Sequence, residues 1–254
     1  MAFARDGLTT DAFLGGRLAI LQPTSGYRAG IDPVLLAAAV AAEPGESVLE
    51  LGCGVGTALL CLGRRVPRLR LTGLEIQPDY AELARRNAQA NGIAAEMVTG
   101  DLRDMPAALR AQSFDHVVAN PPYLRRGAGT PATDAGRETA LAEAVPLRAW
   151  VEAGLRRLKP GGRYTMIQRT DRLVDVVTAF DGFAASLSVL PIAPRAMRDA
   201  TLVIVSATKG GKSPFRLHAP LVLHQGERHV RDGDDYSPGI SAVLREGAAL
   251  PAIP

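Results

Sequence analysis

Cysteine is scarce in this 254-residue chain, which holds only Cys53 and Cys61. Two thiols so placed fit neither a disulfide framework nor a zinc-ligand spacing, so ordinary packing is expected of both. The four histidines, His116, His218, His224 and His229, are too scattered to suggest a metal site, and no metal is expected. Long apolar runs are missing as well. The longest, such as Val34 to Ala42, fall far short of the roughly 20 residues that a membrane span needs. At the start, Met1-Ala2-Phe3-Ala4-Arg5-Asp6 has no basic region leading into an apolar core. Neither export nor a membrane partner is therefore expected, and the expected location is the cytoplasm. Lysine stands only at positions 159, 209 and 212, so 26 of the 29 basic residues are arginine. Arginine's planar fork suits phosphates and stacks on bases. A nucleic-acid partner fits that skew, and so does a coding bias that favours arginine.

What is present is enough for a large core: 47% of the residues are hydrophobic, and the net charge is only +3. The length suits one large α/β domain or two small ones. Two strand-like runs around Gly15-Gly16, within residues 10–23, read as a hairpin. The loop from Gln22 through Tyr27 and Arg28 to Gly30 leads to Asp32-Pro33, an N-cap followed by proline at the first helical position. That helix is expected to run to about Ala42. Ser47 to Leu51 then reads as a buried strand opening into Gly52-Cys53-Gly54-Val55-Gly56-Thr57 and a helix to about Arg65. Strand, glycine turn and helix form the first crossover of a doubly wound sheet, in which glycines let a ligand approach the backbone at a helix N-terminus. Such a turn alone also suits dehydrogenases.

The next strand, Leu69 to Leu74, ends in Glu75, the place where nucleotide-binding sheets put an acid for ribose hydroxyls. A helix from Pro78 to Asn91-Gly92 follows, then a strand over Ala95 to Thr99 with Gly100-Asp101-Leu102 at its end. Asp101 is placed either to cap the following turn or to meet the ligand. Phe114 to Ala119 is a fourth buried strand, and Asn120-Pro121-Pro122-Tyr123 ends it abruptly, because proline has no N–H for a ladder. The Asn120 side chain is thereby left at a strand's carboxyl end, where open α/β sheets bind ligands. Leu124 to Thr139, holding Arg125, Arg126 and Arg137, reads as a loop folding over the site. A helix over about 144–158, a Lys159-Pro160-Gly161-Gly162 turn, a strand over 163–168 and a helix over about 171–180 follow. An antiparallel pair over 185–192 and 200–208 comes next, with a short strand within 217–224. From Gly226 onward glycine, proline and charge dominate, and little order is expected.

These elements together resemble the class I S-adenosylmethionine-dependent methyltransferases. Val48 to Thr57 is similar to their cofactor loop, Glu75 to the ribose-binding acid, and Asp101, with Leu102, to the adenine contact. Asn120-Pro121-Pro122-Tyr123 resembles the motif of members that methylate planar nitrogens. The resemblance implies a Rossmann-like, seven-stranded, mostly parallel sheet with an antiparallel last strand, helices on both faces and a short N-terminal hairpin extension. It implies S-adenosylmethionine as cofactor, held by Glu50, Gly52, Gly54, Gly56, Glu75, Asp101, Leu102 and Asn120, and catalysis by Asn120, Pro121, Pro122 and Tyr123. A narrower likeness, to the bacterial tRNA-valine adenine-N6 methyltransferases, rests on Gln22-Pro23, Gly26-Tyr27-Arg28, Asp32, Leu35-Leu36 and Tyr236-Ser237. It implies an RNA partner, most simply tRNA, with Tyr27, Arg28, Arg125, Arg126 and Arg137 against the substrate. The expected division is an extension over 1–31, a methyltransferase domain over 32–225 and a tail over 226–254. Glutamine N5 methylation of a release factor, which uses the same four-residue motif, is the competing chemistry. Those enzymes resemble a longer helical segment ahead of the cofactor loop, and here 47 residues precede Val48. Duplex DNA is disfavoured because no separate target-recognition domain is evident, and a non-catalytic binding module because the motif is intact.

Overall fold

The computed structural model describes residue 3 and residues 7–125, 142–143, 145–183, 185–226 and 235–251. Strands β1 (Leu8–Phe13) and β2 (Leu18–Pro23) pair antiparallel across the Leu14–Gly16 turn. Helix α1 (Asp32–Ala39) comes next, shorter than expected. Then β3 (Ser47–Leu51), α2 (Thr57–Arg65), β4 (Arg70–Glu75), α3 (Pro78–Ala90) and β5 (Ala95–Thr99) alternate. A short α4 (Ala107–Arg110) precedes β6 (Phe114–Ala119), and the two-residue strands β7 (Leu124–Arg125) and β8 (Ala142–Glu143) pair with each other. The chain continues through α5 (Leu147–Arg157), β9 (Leu158–Arg169), α6 (Leu173–Ala179), β10 (Ala185–Ala193) and β11 (Leu202–Lys209). It closes with β12 (Arg216–Leu217), β13 (Leu221–Val222) and α7 (Pro238–Ser241).

The central sheet runs β12-β10-β11-β9-β6-β3-β4-β5, with β13 also on β10. Neighbours from β5 to β9 are parallel, whereas β11 is antiparallel to both β9 and β10. This is the expected seven-stranded sheet, widened at the β10 edge by two minimal strands. Strand β3 is buried along its whole length, as a parallel strand covered on both faces must be. Core residues from α1, α2 and α3 cluster on one face and those from α5 and α6 on the other. From β3 the chain steps outward through β4 and β5, then returns to β6 on the other flank of β3. The crevice between the carboxyl ends of β3 and β6 is therefore the topological switch point.

Strand β9 begins earlier than the Lys159-Pro160-Gly161-Gly162 turn suggested. Its pairing with β6 slips between Phe114 and His116, so the proline and glycines are absorbed as an irregularity inside the strand. Residues 235–251 are more ordered than their composition implied, and residues 227–234 and 252–254 lie outside the described ones. Ile240 and Val243 are buried, and the Leu250 amide donates to the Ala38 carbonyl at 2.8 Å.

The hairpin is bound to the domain by two asparagines one turn apart, Asn87 on α3 and Asn91 at its C-cap. Asn91 exchanges a pair of hydrogen bonds with the Ala19 backbone (3.0 and 2.8 Å), and Asn87 does the same with Leu21 (2.8 and 3.1 Å). Their amides imitate the edge of a strand. Asn87 also donates to the Val55 carbonyl at 3.0 Å, which joins the hairpin to the glycine loop.

Candidate cofactor and acceptor site

A cavity of about 790 Å³ occupies the switch point. The glycine turn, residues 24–30, Asp32, Pro33, Asn120-Pro121-Pro122-Tyr123 and the Glu50 and Glu75 carboxyls line it, with Val145 and Trp150 closing one side. Gly52 has φ +64, and a Cβ there would come within 2.6 Å of the Trp150 ring. Gly54 has φ +54 and faces the Tyr27 ring. Gly56 has a different task and does not line the cavity. It precedes α2 at φ +85, with a would-be Cβ 3.3 Å from Ala84, so it lets the loop pack on α3.

Glu75 accepts from the Gly54 amide through one oxygen and from the Gln77 amide through the other, both at 2.9 Å. Glu50 accepts from the Leu59 amide at 3.0 Å. Burial pushes the Glu50 carboxyl from 4.5 up to about 8; the Leu59 amide opposes that shift and the Glu75 charge adds to it. Burial raises Glu75 as well, against the pull of its backbone donors. Two acids with little exposure to water suit a cationic ligand group and paired hydroxyls. Thr57 supports the same reading: its buried hydroxyl, on the cavity wall at the start of α2, has no protein partner among the described residues. Ile76, half exposed on that wall, presents an apolar side chain to any flat ligand ring. The residues present thus fit a nucleoside cofactor with an amino-acid end.

Asp101 and Leu102 are not on the cavity wall. The Asp101 carboxylate caps the turn after β5 by accepting from the Arg103 amide at 2.8 Å, and it pairs with the Arg103 guanidinium at 2.6 Å. That arrangement is the turn-capping alternative. Arg28 stands on the cavity wall and is engaged within the protein. Its guanidinium holds Asp11 (2.5 Å), Thr9 (2.7 Å) and the Pro23 carbonyl (2.6 Å), which ties the loop to the hairpin instead of leaving it free for a phosphate. Arg126 and Arg137, most of the loop over Leu124 to Thr139, and the side chain of Arg125 lie outside the described residues.

The four-residue motif is reached from two sides. From the N-terminal side, the Asn120 amide nitrogen is 3.4 Å from the Tyr27 hydroxyl, and the Tyr123 hydroxyl donates to Asp32 at 2.5 Å. Asp32 is the first residue of α1 and not its N-cap, which is Ile31; no side chain caps the helix, and the Asp32 carboxylate holds Tyr123 instead. Burial, reinforced by the Asp32 charge, holds both tyrosine hydroxyls well above their ordinary range, so they stay protonated. From the β9 side, the fully buried Gln168 donates toward the Pro122 carbonyl (3.3 Å) and the Pro121 carbonyl (3.5 Å), and Arg172 donates to the Tyr123 carbonyl at 3.3 Å. Sequence reasoning passed over Asp32's contact, Gln168 and Trp150. Only Gln168 left a trace, as an amide within the apolar run of β9.

A model described as a methyltransferase domain matches residues 48–128. A tRNA1(Val) (adenine(37)-N6)-methyltransferase from Porphyromonas gingivalis is 34% identical over 180 residues, covering 66% of this chain and 69% of that protein. A release factor glutamine methyltransferase from Geobacter sulfurreducens is 35% identical over 78 residues, which cover 31% of this chain and 26% of the relative. Among solved structures, a predicted O-methyltransferase from Agrobacterium tumefaciens superposes with a TM-score of 0.70 at 25% identity, over 87% of this chain and 98% of that one. The second relative is matched over a much shorter stretch than the first, 78 residues against 180. The chain belongs to the S-adenosylmethionine-dependent methyltransferases, in the family that includes the tRNA1(Val) (adenine(37)-N6)-methyltransferases.

Proposed function

We propose that this protein methylates N6 of an adenine in RNA, with the adenine beside the anticodon of a tRNA as its target. The observation that carries the reading is Asn120-Pro121-Pro122-Tyr123 in one cavity with the glycine loop, Glu50 and Glu75. The relative's printed activity supports the choice of tRNA. S-adenosylmethionine supplies an electrophilic methyl group when bound. Glu50 would hold its amine and Glu75 its ribose, with Gly52 and Gly54 leaving room beside the loop.

An exocyclic adenine amine is a poor nucleophile because its lone pair is delocalised into the ring. The Asn120 side-chain oxygen and the Pro121 carbonyl each accept one N–H of that amine, which favours a pyramidal nitrogen whose lone pair is aimed at the methyl group. Orientation of this kind is worth as much as roughly 7–11 kcal/mol. Neither tyrosine is needed as a base, which agrees with hydroxyls held protonated. As the new N–C bond forms the methyl–sulfur bond breaks, with S-adenosylhomocysteine as the leaving product, and the nitrogen, now cationic, gives its proton to water. Tyr123 stacks on the base at a gain of about 1–3 kcal/mol, and the nucleotide leaves its stack to reach it.

The test is to incubate the protein and labelled methyl donor with total tRNA, ribosomal RNA, a release factor and duplex DNA, and to identify the labelled product. N6-methyladenosine from tRNA is the expected result. Labelled glutamine overturns the reading in favour of the protein substrate, and no label in any acceptor leaves a binding module.

A further inference from the structure

Three consecutive carbonyls of the acceptor motif are held from behind by one short segment. Gln168 and Arg172, at and just beyond the end of β9, donate to the carbonyls of Pro121, Pro122 and Tyr123. Backbone carbonyls in a buried place need donors, and neither proline carries an N–H through which the ladder between β6 and β9 could continue. The β6–β9 register pairs Ala119 with Met166, so two residues further on Gln168 comes level with Pro121. The orientation of the Gln168 amide is settled by its neighbours. Its oxygen accepts from the Arg169 amide at 2.8 Å, a group that only donates, and its nitrogen meets carbonyls, which only accept.

We infer that Gln168 is a positioning residue: it fixes the plane of the Pro121 peptide so that one lone pair of that carbonyl is aimed at the acceptor amine. The inference rests on the acceptor chemistry proposed above. A carbonyl has two lone pairs, and at 3.5 Å from Gln168 Nε2 the Pro121 oxygen keeps one for substrate. Arg172, itself buried and paired with Asp175 at 2.7 Å, holds the next turn of the motif at Tyr123.

Gln168→Met keeps the size of the side chain and removes its donors. Its kcat should fall roughly 10- to 100-fold, the range expected when a reacting group is misplaced by a fraction of an ångström to an ångström, while the affinity for S-adenosylhomocysteine stays within about 2-fold. An unchanged kcat, with only a lower thermal midpoint, overturns the inference, because Gln168 then merely satisfies buried carbonyls. Gln168→Glu supplies a readout that a purely structural role does not move. A protonated carboxyl still donates to the proline carbonyls and accepts from Arg169, whereas a carboxylate faces them with like charge. Its activity relative to the parent should therefore fall as pH rises, and a flat ratio counts against the inference. A third measurement needs no substrate. The Pro121 and Pro122 carbonyl ¹³C resonances should move upfield in Gln168→Met, and unmoved resonances overturn the inference whichever acceptor the parent protein methylates. If the parent labels glutamine instead of tRNA, the RNA reading fails, and the same kinetic ratios on that substrate still decide the role of Gln168.

Discussion

Asn120 has its amide nitrogen near the Tyr27 hydroxyl, while its side-chain oxygen accepts from no described residue. That oxygen is the half of the amide that the proposed chemistry requires. Asn120→Ala should reduce turnover by roughly 10²–10³-fold, the range seen when a preorganised hydrogen-bonding group is lost from a reacting centre. The affinity for S-adenosylhomocysteine, measured by calorimetry, should stay within a few-fold. Glu50 gives a second prediction at this scale. Its folded value of about 8 lies above the unfolded 4.5, so the folded protein without ligand binds the extra proton between those values. Stability from this group is complete below about 4.5 and is lost as pH rises toward 8. A ligand ammonium reverses the preference, because it favours the carboxylate and drives the proton off. The dissociation constant of S-adenosylhomocysteine should therefore fall as pH rises from 6 to 8, with buffer-dependent heats that report proton release. Glu50→Gln should flatten both the pH dependence of affinity and that part of the thermal-midpoint curve.

At the scale of elements, the crossover from β3 through the glycine turn into α2 is legible in the sequence because its signals are local. A run of buried apolar residues, glycines at positive φ and a helix start all lie within Ser47–Arg65. The parallel order of β5, β4, β3, β6 and β9 follows from alternating strands and helices by general connection rules. What stayed hidden depends on partners far along the chain. Asp32-Pro33 reads locally as a helix start, yet its carboxylate meets a hydroxyl 91 positions away. Asn91 reads as a helix stop, yet it pairs with β2, as does Asn87 one turn earlier. Asp101 and Arg28 each have a counter-ion close by in space, Arg103 two positions on and Asp11 in the hairpin, which a residue-by-residue reading leaves out. The hairpin's attachment yields its own test. Asn87 is fully buried and makes three backbone hydrogen bonds. Asn87→Ala should cost about 2–4 kcal/mol of stability, since buried backbone groups lose their partner. Cofactor affinity should weaken with it, because the Val55 carbonyl of the glycine loop loses its anchor. A chemical-denaturation midpoint and a calorimetric titration on one sample read both effects.

For the whole molecule the open question is which arginines meet RNA, since 26 of 29 basic residues are arginine and the net charge is only +3. A surplus this small cannot bind a polyanion by bulk charge, so affinity must come from local contacts that each displace counterions from the phosphate backbone. Binding of tRNA should then weaken linearly in log–log form with salt, at a slope of about 0.7–0.9 per phosphate contacted. The affinity for S-adenosylhomocysteine, a small ligand in a buried cavity, should barely move over the same range. The two kinds of arginine are separable by the same measurement. Arg28 is bound to Asp11, Thr9 and the Pro23 carbonyl, so Arg28→Ala should lower the thermal midpoint and leave the salt slope unchanged. If Arg125, Arg126 and Arg137 supply phosphate contacts, replacing all three with alanine should reduce the slope by about 2–3 units and leave the thermal midpoint near that of the parent. Filter binding of tRNA from 50 to 200 mM salt, run on the parent and both variants, measures these slopes. A slope that drops with Arg28→Ala but not with the triple variant would move the RNA path from the loop after Tyr123 to the hairpin face.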